Sequence, residues 1–175
     1  YIDMPLQHID DTMLRRMGRR LGEEGTRALF HRMRERIPGL VLRTTFIVGF
    51  PGETPETIQE SIDFCKENLL YPAFYILQPF PGTDVYEKYV RQDYDERSYL
   101  ELISDYREGE KIPVNLTNMS AEELLRLKAK AEAEIQKTNF NHYASYYGWR
   151  TPAHLIRDAK LQFNRLQRGS MFVSP

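Results

Sequence analysis

The stretch Arg43-Thr44-Thr45-Phe46-Ile47-Val48-Gly49-Phe50-Pro51-Gly52-Glu53-Thr54 decides the fold of this chain. The apolar run 40–48 that leads into it is short and rich in β-branched residues, which is typical of a parallel strand buried on both faces. Gly49 and Gly52 then allow the backbone to turn tightly and to approach a ligand. Thr54 is predicted to cap the helix that follows. A strand, a glycine turn and a helix amino terminus in succession predict a small polar ligand site at the end of the strand.

Strand-like and helical patterns alternate around this stretch. Three segments have the composition of strands, namely 1–4, 40–48 and 73–78. Helical spacing of apolar residues fills the gaps, which predicts an α/β fold with parallel strands, either half of a barrel or a small open sheet. Ligands bind at the carboxyl ends of such strands, so the candidate site lies at 5–8, 49–53 and 79–83.

Composition limits the classes of protein that this chain can belong to. Its 175 residues, 41% of them hydrophobic, can bury one core together with a helical appendage. No apolar run is long enough to cross a bilayer, so we expect no membrane partner and a cytoplasmic protein. The single cysteine, Cys65, cannot form an internal disulfide or by itself bind a zinc ion or an iron–sulfur cluster. Its place on an apolar helical stripe predicts an inert core thiol.

The net charge of −1 conceals an uneven distribution of arginines. Eight of them crowd the start of the chain: Arg15, Arg16, Arg19, Arg20, Arg27, Arg32, Arg34 and Arg36. Their positions predict a basic helical face, which is either solvated or in contact with an acidic partner or RNA.

The second half of the chain is predicted to be helical. Ser120-Ala121-Glu122-Glu123 has the pattern of a capping box, and a long helix is expected from there to about Ile135 or beyond. Another helix is predicted to start at Thr151-Pro152. We therefore divide the chain into residues 1–92, a linker at 93–119 and a helical extension at 120–175.

Residues 1–8, 14–17 and 42–54 closely resemble the second half of the radical S-adenosylmethionine (SAM) barrel in methylthiotransferases. These enzymes modify a ribosomal-protein aspartate or a tRNA adenosine. The resemblance implies a partial (β/α) TIM-type barrel, the C-terminal half of a radical SAM barrel, followed by a helical extension. It also implies that a missing N-terminal half, an electron donor and a ribosomal protein or tRNA substrate are the partners of this chain.

The cofactors implied by this resemblance are SAM and a [4Fe-4S] cluster. The Cys-x3-Cys-x2-Cys loop that binds the cluster in this superfamily does not occur in the 175 residues, so its ligands are expected outside this chain, which should be inactive alone. Residues 70–175, above all 74–86, 113–117 and the helical tail, are more similar to cobalamin-binding radical SAM enzymes. Two alternatives therefore stay open beside the methylthiotransferase: a cobalamin-dependent methyltransferase, and a module without catalytic activity.

The resemblance assigns cofactor-binding roles at the first strand end. Gln7 corresponds to the residue that contacts the cofactor ribose, and Asp3 is a weaker candidate. A glutamine side chain can donate and accept hydrogen bonds at once, which suits a diol. The alternative is that Gln7 satisfies the loop backbone. His8 is a candidate for substrate contact or proton transfer.

The central strand carries further candidates. Arg43 is expected to pair with the carboxylate of SAM, or else to form a strand-end salt bridge. Thr45, Ile47 and Val48 lie in the part of the strand that the resemblance places against adenine, and Gly49 provides the turn. Gln78 is expected to complete the cleft, although the loop after it is also a good turn. No catalytic and no metal-binding residue is assigned, and Glu53 is expected only to favour the dipole of the next helix.

Overall fold

The structure is a computed structural model that describes residues 2–104 and 111–146, with side chains up to residue 142. The chain forms two compact units, Tyr1–Asn139 and Phe140–Pro175. Only the beginning of the second unit lies within the described residues, so the fold below is that of the first unit. The helix predicted from Thr151 lies outside the described residues.

The described elements are β1 (Ile2–Asp3), α1 (Asp11–Arg16), α2 (Glu23–Arg36), β2 (Leu42–Val48), α3 (Pro55–Glu67), β3 (Tyr71–Ile76), α4 (Asp84–Tyr89), α5 (Glu96–Ser104) and α6 (Ala121–Tyr146). The strands form one parallel sheet in the order β1-β2-β3. The predicted α/β class with parallel strands is confirmed. Among the described residues the sheet has three strands and does not close into a barrel.

The register of the sheet places β2 between its neighbours over its full length. Asp3 pairs with Arg43 on one side, and the pairs with β3 run from Arg43 and Tyr71 to Val48 and Ile76. β3 therefore begins and ends two residues before the predicted segment 73–78. Pro72 fits within it because β3 is an edge strand of this sheet, where a missing N–H can be tolerated.

Local capping determines where the helices start. Thr54 Oγ1 accepts a hydrogen bond from Thr57 N, Thr57 Oγ1 accepts one from Thr54 N at 3.1 Å, and Pro55 is the first residue of α3. This confirms the predicted cap. At the start of α6, Ser120 Oγ accepts from Glu123 N at 3.1 Å, which is the forward half of the predicted capping box.

The core lies between one face of the sheet and three helices. Phe46 and Phe74 stack on the sheet with ring centroids 5.3 Å apart. The helices contribute Phe30 from α2, Ile58, Ile62 and Phe64 from α3, and Leu124, Ala131 and Ile135 from α6. Helix α6 is tied to the rest of the unit as well, since Asn139 Nδ2 donates to the carbonyl of Leu70 at 2.7 Å. The part of the predicted helical extension before residue 140 therefore packs into the same core as the sheet.

Candidate functional site

The two faces of the sheet differ sharply in burial. Along β2, buried residues alternate with less buried ones, so that Leu42, Thr44, Phe46 and Val48 point to the helices. The opposite side is called here the open face and consists of Asp3, Arg43, Thr45, Ile47, Tyr71, Ala73 and Tyr75. All seven of these side chains are exposed or half-buried.

Arg43 and Asp3 lie at the amino-terminal half of the open face. Arg43 Nη1 contacts Asp3 Oδ2 at 2.7 Å, and the two side chains are 46% and 39% exposed. This ion pair joins neighbouring residues of β1 and β2, in agreement with the alternative that Arg43 forms a strand-end salt bridge. Arg43 lies about 13 Å along the strand from Ile47, at roughly 3.3 Å per residue.

Thr45 and Val48 point to opposite faces of β2. The Thr45 hydroxyl lies on the open face and has no hydrogen-bond partner within residues 2–104 and 111–146. Val48 is on the covered face with 2% of its surface exposed, and its carbonyl accepts from Leu77 N at 2.7 Å. Of the three predicted adenine contacts, Thr45 and Ile47 present their side chains to the open face, whereas Val48 does not.

The glycine turn follows β2 at the carboxyl edge of the sheet. Gly49 and Gly52 have φ values of +91° and +84°, so both adopt the left-handed conformation that favours glycine. A Cβ at Gly49 would lie 3.2 Å from Leu124 Cδ2, and one at Gly52 would collide with the Arg16 guanidinium. The space beside both glycines is filled by protein, so the turn needs them for its conformation and for packing.

Gln7 lies beside the same edge in an unusual conformation. It has a φ of +77°, and its backbone bridges to β2: its N–H donates to the carbonyl of Thr45 and its carbonyl accepts from Ile47 N, both at 2.8 Å. Its half-buried side chain makes no hydrogen bond to the described part of the chain. The side-chain amide is therefore available to a ligand, whereas the backbone is already satisfied.

Gln78 is held by a tyrosine from α5. Gln78 Nε2 lies 2.9 Å from the Tyr99 hydroxyl, which donates to the carbonyl of Pro79 at 2.6 Å. Tyr99 packs against Tyr86 and Val90 in a second small apolar cluster, and burial raises the pKa of the Tyr99 hydroxyl. This tyrosine thus fixes the loop that follows β3, and it lies within the segment 93–119 that was predicted to be a linker.

A buried polar network joins the ends of β1 and β2, and sequence reasoning missed it. His8 Nε2 lies 3.0 Å from Glu53 Oε1, and the two side chains are 1% and 0% exposed. The other carboxylate oxygen, Glu53 Oε2, accepts a hydrogen bond from Gly49 N. Glu53 is therefore a buried anchor of the turn, in addition to preceding the helix that it was expected to favour. No sequence signal links His8 to Glu53, because the pair is 45 residues apart.

The described residues hold neither a metal-ligand cluster nor a membrane-spanning helix. Cys65 is fully buried in the core and burial raises the pKa of its thiol, in agreement with the predicted inert role. The described ranges contain no cluster of three His, Cys, Asp or Glu side chains arranged to hold a metal ion. Within those ranges, none of the helices combines the length and the apolar composition that crossing a membrane requires.

Comparison with known proteins identifies the segment that carries this site. Residues 1–65, from β1 into α3, match the family model of the radical SAM superfamily. Over 67 residues the chain is 60% identical to the ribosomal protein uS12 methylthiotransferase RimO of Syntrophotalea carbinolica and 54% identical to RimO of Heliobacterium modesticaldum. RimO of Carboxydothermus hydrogenoformans is 48% identical over a stretch of the same length.

Each of these matches covers 38% of this chain and 15% of the relative's length. The segment that matches the family model contains Gln7, Arg43, Thr45, Val48 and Gly49, whereas Gln78 lies beyond it. The resemblance of the first third to methylthiotransferases is confirmed. The matches give no support to the cobalamin-binding resemblance of the later segments.

Proposed function

We propose that the open face of this sheet forms part of the SAM-binding site of a radical SAM enzyme, and that the complete protein is a methylthiotransferase acting on ribosomal protein uS12. The observation that carries the proposal is that Arg43, Thr45 and Ile47 alternate along one uncovered face within the matched segment. The relatives bear this activity in their names and supply the choice of substrate. A tRNA substrate is the alternative within the same kind of enzyme.

The chemistry of the open face suits the two ends of SAM. Arg43 presents a planar guanidinium that can bind the carboxylate of the methionine part while it remains close to Asp3. Ile47 and its register partner Tyr75, which is 46% exposed, offer apolar and aromatic surface to adenine. The distance of about 13 Å between Arg43 and Ile47 suits an elongated ligand lying along the strand.

Polar groups between and beside these ends complete the proposed site. The Thr45 hydroxyl and the Gln7 amide make no hydrogen bond to the described residues, so they can donate to or accept from the ribose and accept from the amino group. Val48 and Gly49 shape the edge through their backbone, and Gln78 closes it on the side of β3. The role of these residues would be to bind and orient SAM, which when bound would supply the radical chemistry of such an enzyme.

The residues of this chain do not fit the cluster itself. Its single cysteine is enclosed in the core, and the described ranges offer no other group of metal ligands. No step at a cluster is therefore assigned to these residues. We expect the 175-residue chain by itself to bind SAM without cleaving it, and the cluster ligands, the electron donor and the site for uS12 to involve the rest of the enzyme.

Titration calorimetry of the 175-residue chain with SAM tests the proposal. Arg43→Ala should raise the dissociation constant about tenfold or more, because a hydrogen bond to a charged group contributes about 1.5–3 kcal/mol. Thr45→Val, which removes only the hydroxyl, should have a smaller effect in the same direction. Arg97→Ala is the matched control, since Arg97 is also an exposed arginine paired with a carboxylate, that of Glu101.

The control should bind SAM as the wild-type chain does. Absence of binding by the wild-type chain would refute the proposed site on this sheet. Equal affinity for all four proteins would show that SAM binds elsewhere, and would refute the roles of Arg43 and Thr45.

A further inference from the structure

Four residues form a buried connection between the ends of β1 and β2. His8 Nδ1 accepts from Asp10 N at 2.9 Å, His8 Nε2 faces Glu53 Oε1 at 3.0 Å, and Glu53 Oε2 accepts from Gly49 N. We call this set, with His8 and Glu53 at its centre, the His8–Glu53 latch. We propose that the latch is a positioning device that holds Gln7 and Gly49 at the two sides of the SAM site, an inference that rests on the proposed function.

Hydrogen-bond directions in the latch leave one arrangement of protons. The Asp10 N–H donates to Nδ1 of His8, so Nδ1 must present its lone pair. The ring proton is then on Nε2, which donates to Glu53. Both carboxylate oxygens of Glu53 act as acceptors, one for the imidazole and one for the Gly49 amide. Each of these groups is therefore either a donor or an acceptor in one hydrogen bond. The Glu53 carboxylate cannot rotate without breaking its bond to His8 or to Gly49.

Two positions with a positive φ adjoin the latch. Gln7 precedes His8 directly and has a φ of +77°, which is uncommon for a residue other than glycine. Gly49 directly follows β2 and has a φ of +91°, which glycine adopts readily. Unusual backbone conformations persist only where the surrounding structure holds them. The latch is the side-chain contact that connects these two positions, since it anchors the residue after Gln7 to the amide of Gly49.

The consequence is a rigid frame around the open face. Gln7 pairs through its backbone with Thr45 and Ile47, the two residues whose side chains lie beside the proposed ligand. Holding Gln7 therefore holds its side-chain amide in place as well. Because the Gly49 N–H already donates to Glu53, it stabilises the turn and does not donate to the ligand.

Amide exchange and SAM affinity of the 175-residue chain test the latch together. In Glu53→Gln the side chain has one acceptor oxygen, which can serve either Gly49 N or His8 Nε2 but not both. We expect exchange of the Gly49 amide to accelerate at least tenfold and the SAM dissociation constant to rise about tenfold. Thr54→Ala is the matched control, because it removes the neighbouring helix cap without touching the latch.

A pair of variants at His8 separates positioning from packing. The side chain of His8→Gln reaches the place of Nε2 and retains the donor to Glu53, whereas that of His8→Asn reaches only the place of Nδ1 and loses it. Both variants remove one hydrogen bond and some buried surface. His8→Gln should keep a SAM affinity within about threefold of wild type, and His8→Asn should lose affinity as Glu53→Gln does.

The outcomes distinguish this inference from the proposal on which it rests. Unchanged Gly49 exchange in Glu53→Gln and His8→Asn would overturn the latch, whatever happens with SAM. Equal loss of SAM affinity in Thr54→Ala and in both His8 variants would also overturn it, because a general loss of stability would then be the cause. Absence of SAM binding by the wild-type chain would overturn the proposed function, while the exchange of Gly49 would still decide the latch.

Discussion

The covered face and the open face belong to the same three strands but have different chemistry. On the covered face, Phe46 and Phe74 are at most 2% exposed and pack against α2, α3 and α6. On the open face, Tyr75 is 46% exposed and Arg43 forms an ion pair with Asp3. Successive residues of one strand therefore serve different purposes, since side chains of a strand alternate between its two sides.

This difference separates the packed side of the unit from the side whose groups remain accessible. Parallel sheets normally have both faces covered. One face here packs against α2, α3 and α6. The other face keeps polar and aromatic groups accessible, which suits contact with a ligand or with further protein.

Adjacent residues of β3 provide the largest expected contrast. Phe74→Ala on the covered face should lower the free energy of unfolding by about 3–5 kcal/mol, because it removes a buried ring and leaves a cavity. Tyr75→Ala on the open face should change it by less than about 1 kcal/mol, as exposed substitutions usually do. Urea denaturation of both variants measures the difference. Similar losses would mean that the open face is covered in solution.

The glycine turn gives an intermediate effect. Gly49→Ala combines a backbone at φ +91° with a Cβ only 3.2 Å from Leu124, and should lower the free energy of unfolding by about 2–3 kcal/mol. Gly82→Ala is the control for the backbone alone, with φ +84° and no atom within 4 Å of the new Cβ. Its cost should be about 1–2 kcal/mol. Thermal denaturation of the two variants measures both losses of stability. A larger loss in Gly82→Ala than in Gly49→Ala would contradict this account of the turn.

The ion pair on the open face should have the smallest effect. A double-mutant cycle with Asp3→Ala and Arg43→Ala should give a coupling free energy of about 0.2–1 kcal/mol, because both side chains are accessible to water. The coupling should weaken further at high salt, where exposed charges are screened. A coupling free energy above about 2 kcal/mol that does not change with salt concentration would indicate that this part of the open face is shielded from solvent.

Local patterns were enough to predict several elements. The cap at Thr54, the helix starting at Pro55 and the strand ending at Val48 all follow from neighbouring residues, and the structure confirms them. The predicted burial of that strand on both faces is wrong for the described residues, because Arg43, Thr45 and Ile47 on its second side are exposed or half-buried. The edge position of β3 could not be predicted from neighbouring residues, because it depends on which strands pair. The boundary of that strand was accordingly misplaced by two residues, with Pro72 inside it.

Partners distant in sequence could not be predicted. The contacts of Glu53 with His8 and of Gln78 with Tyr99 span 45 and 21 residues. Nothing in the local pattern distinguishes these polar residues from solvated ones. Only when β1, β2 and α5 assemble do buried polar groups meet the partners that satisfy them.

By itself the sequence determined the α/β class, the glycine turn after the central strand and the radical SAM resemblance of the first third. Each of these depends on residue order over short distances, through periodicity, capping and the conformational freedom of glycine. Tertiary structure alone decided that Arg43 and Thr45 share an open face while Val48 faces the helices, and that Glu53 anchors Gly49. The physical reason is that burial and hydrogen-bond partners are properties of the packed strands and helices, and strand pairing sets which side chains meet.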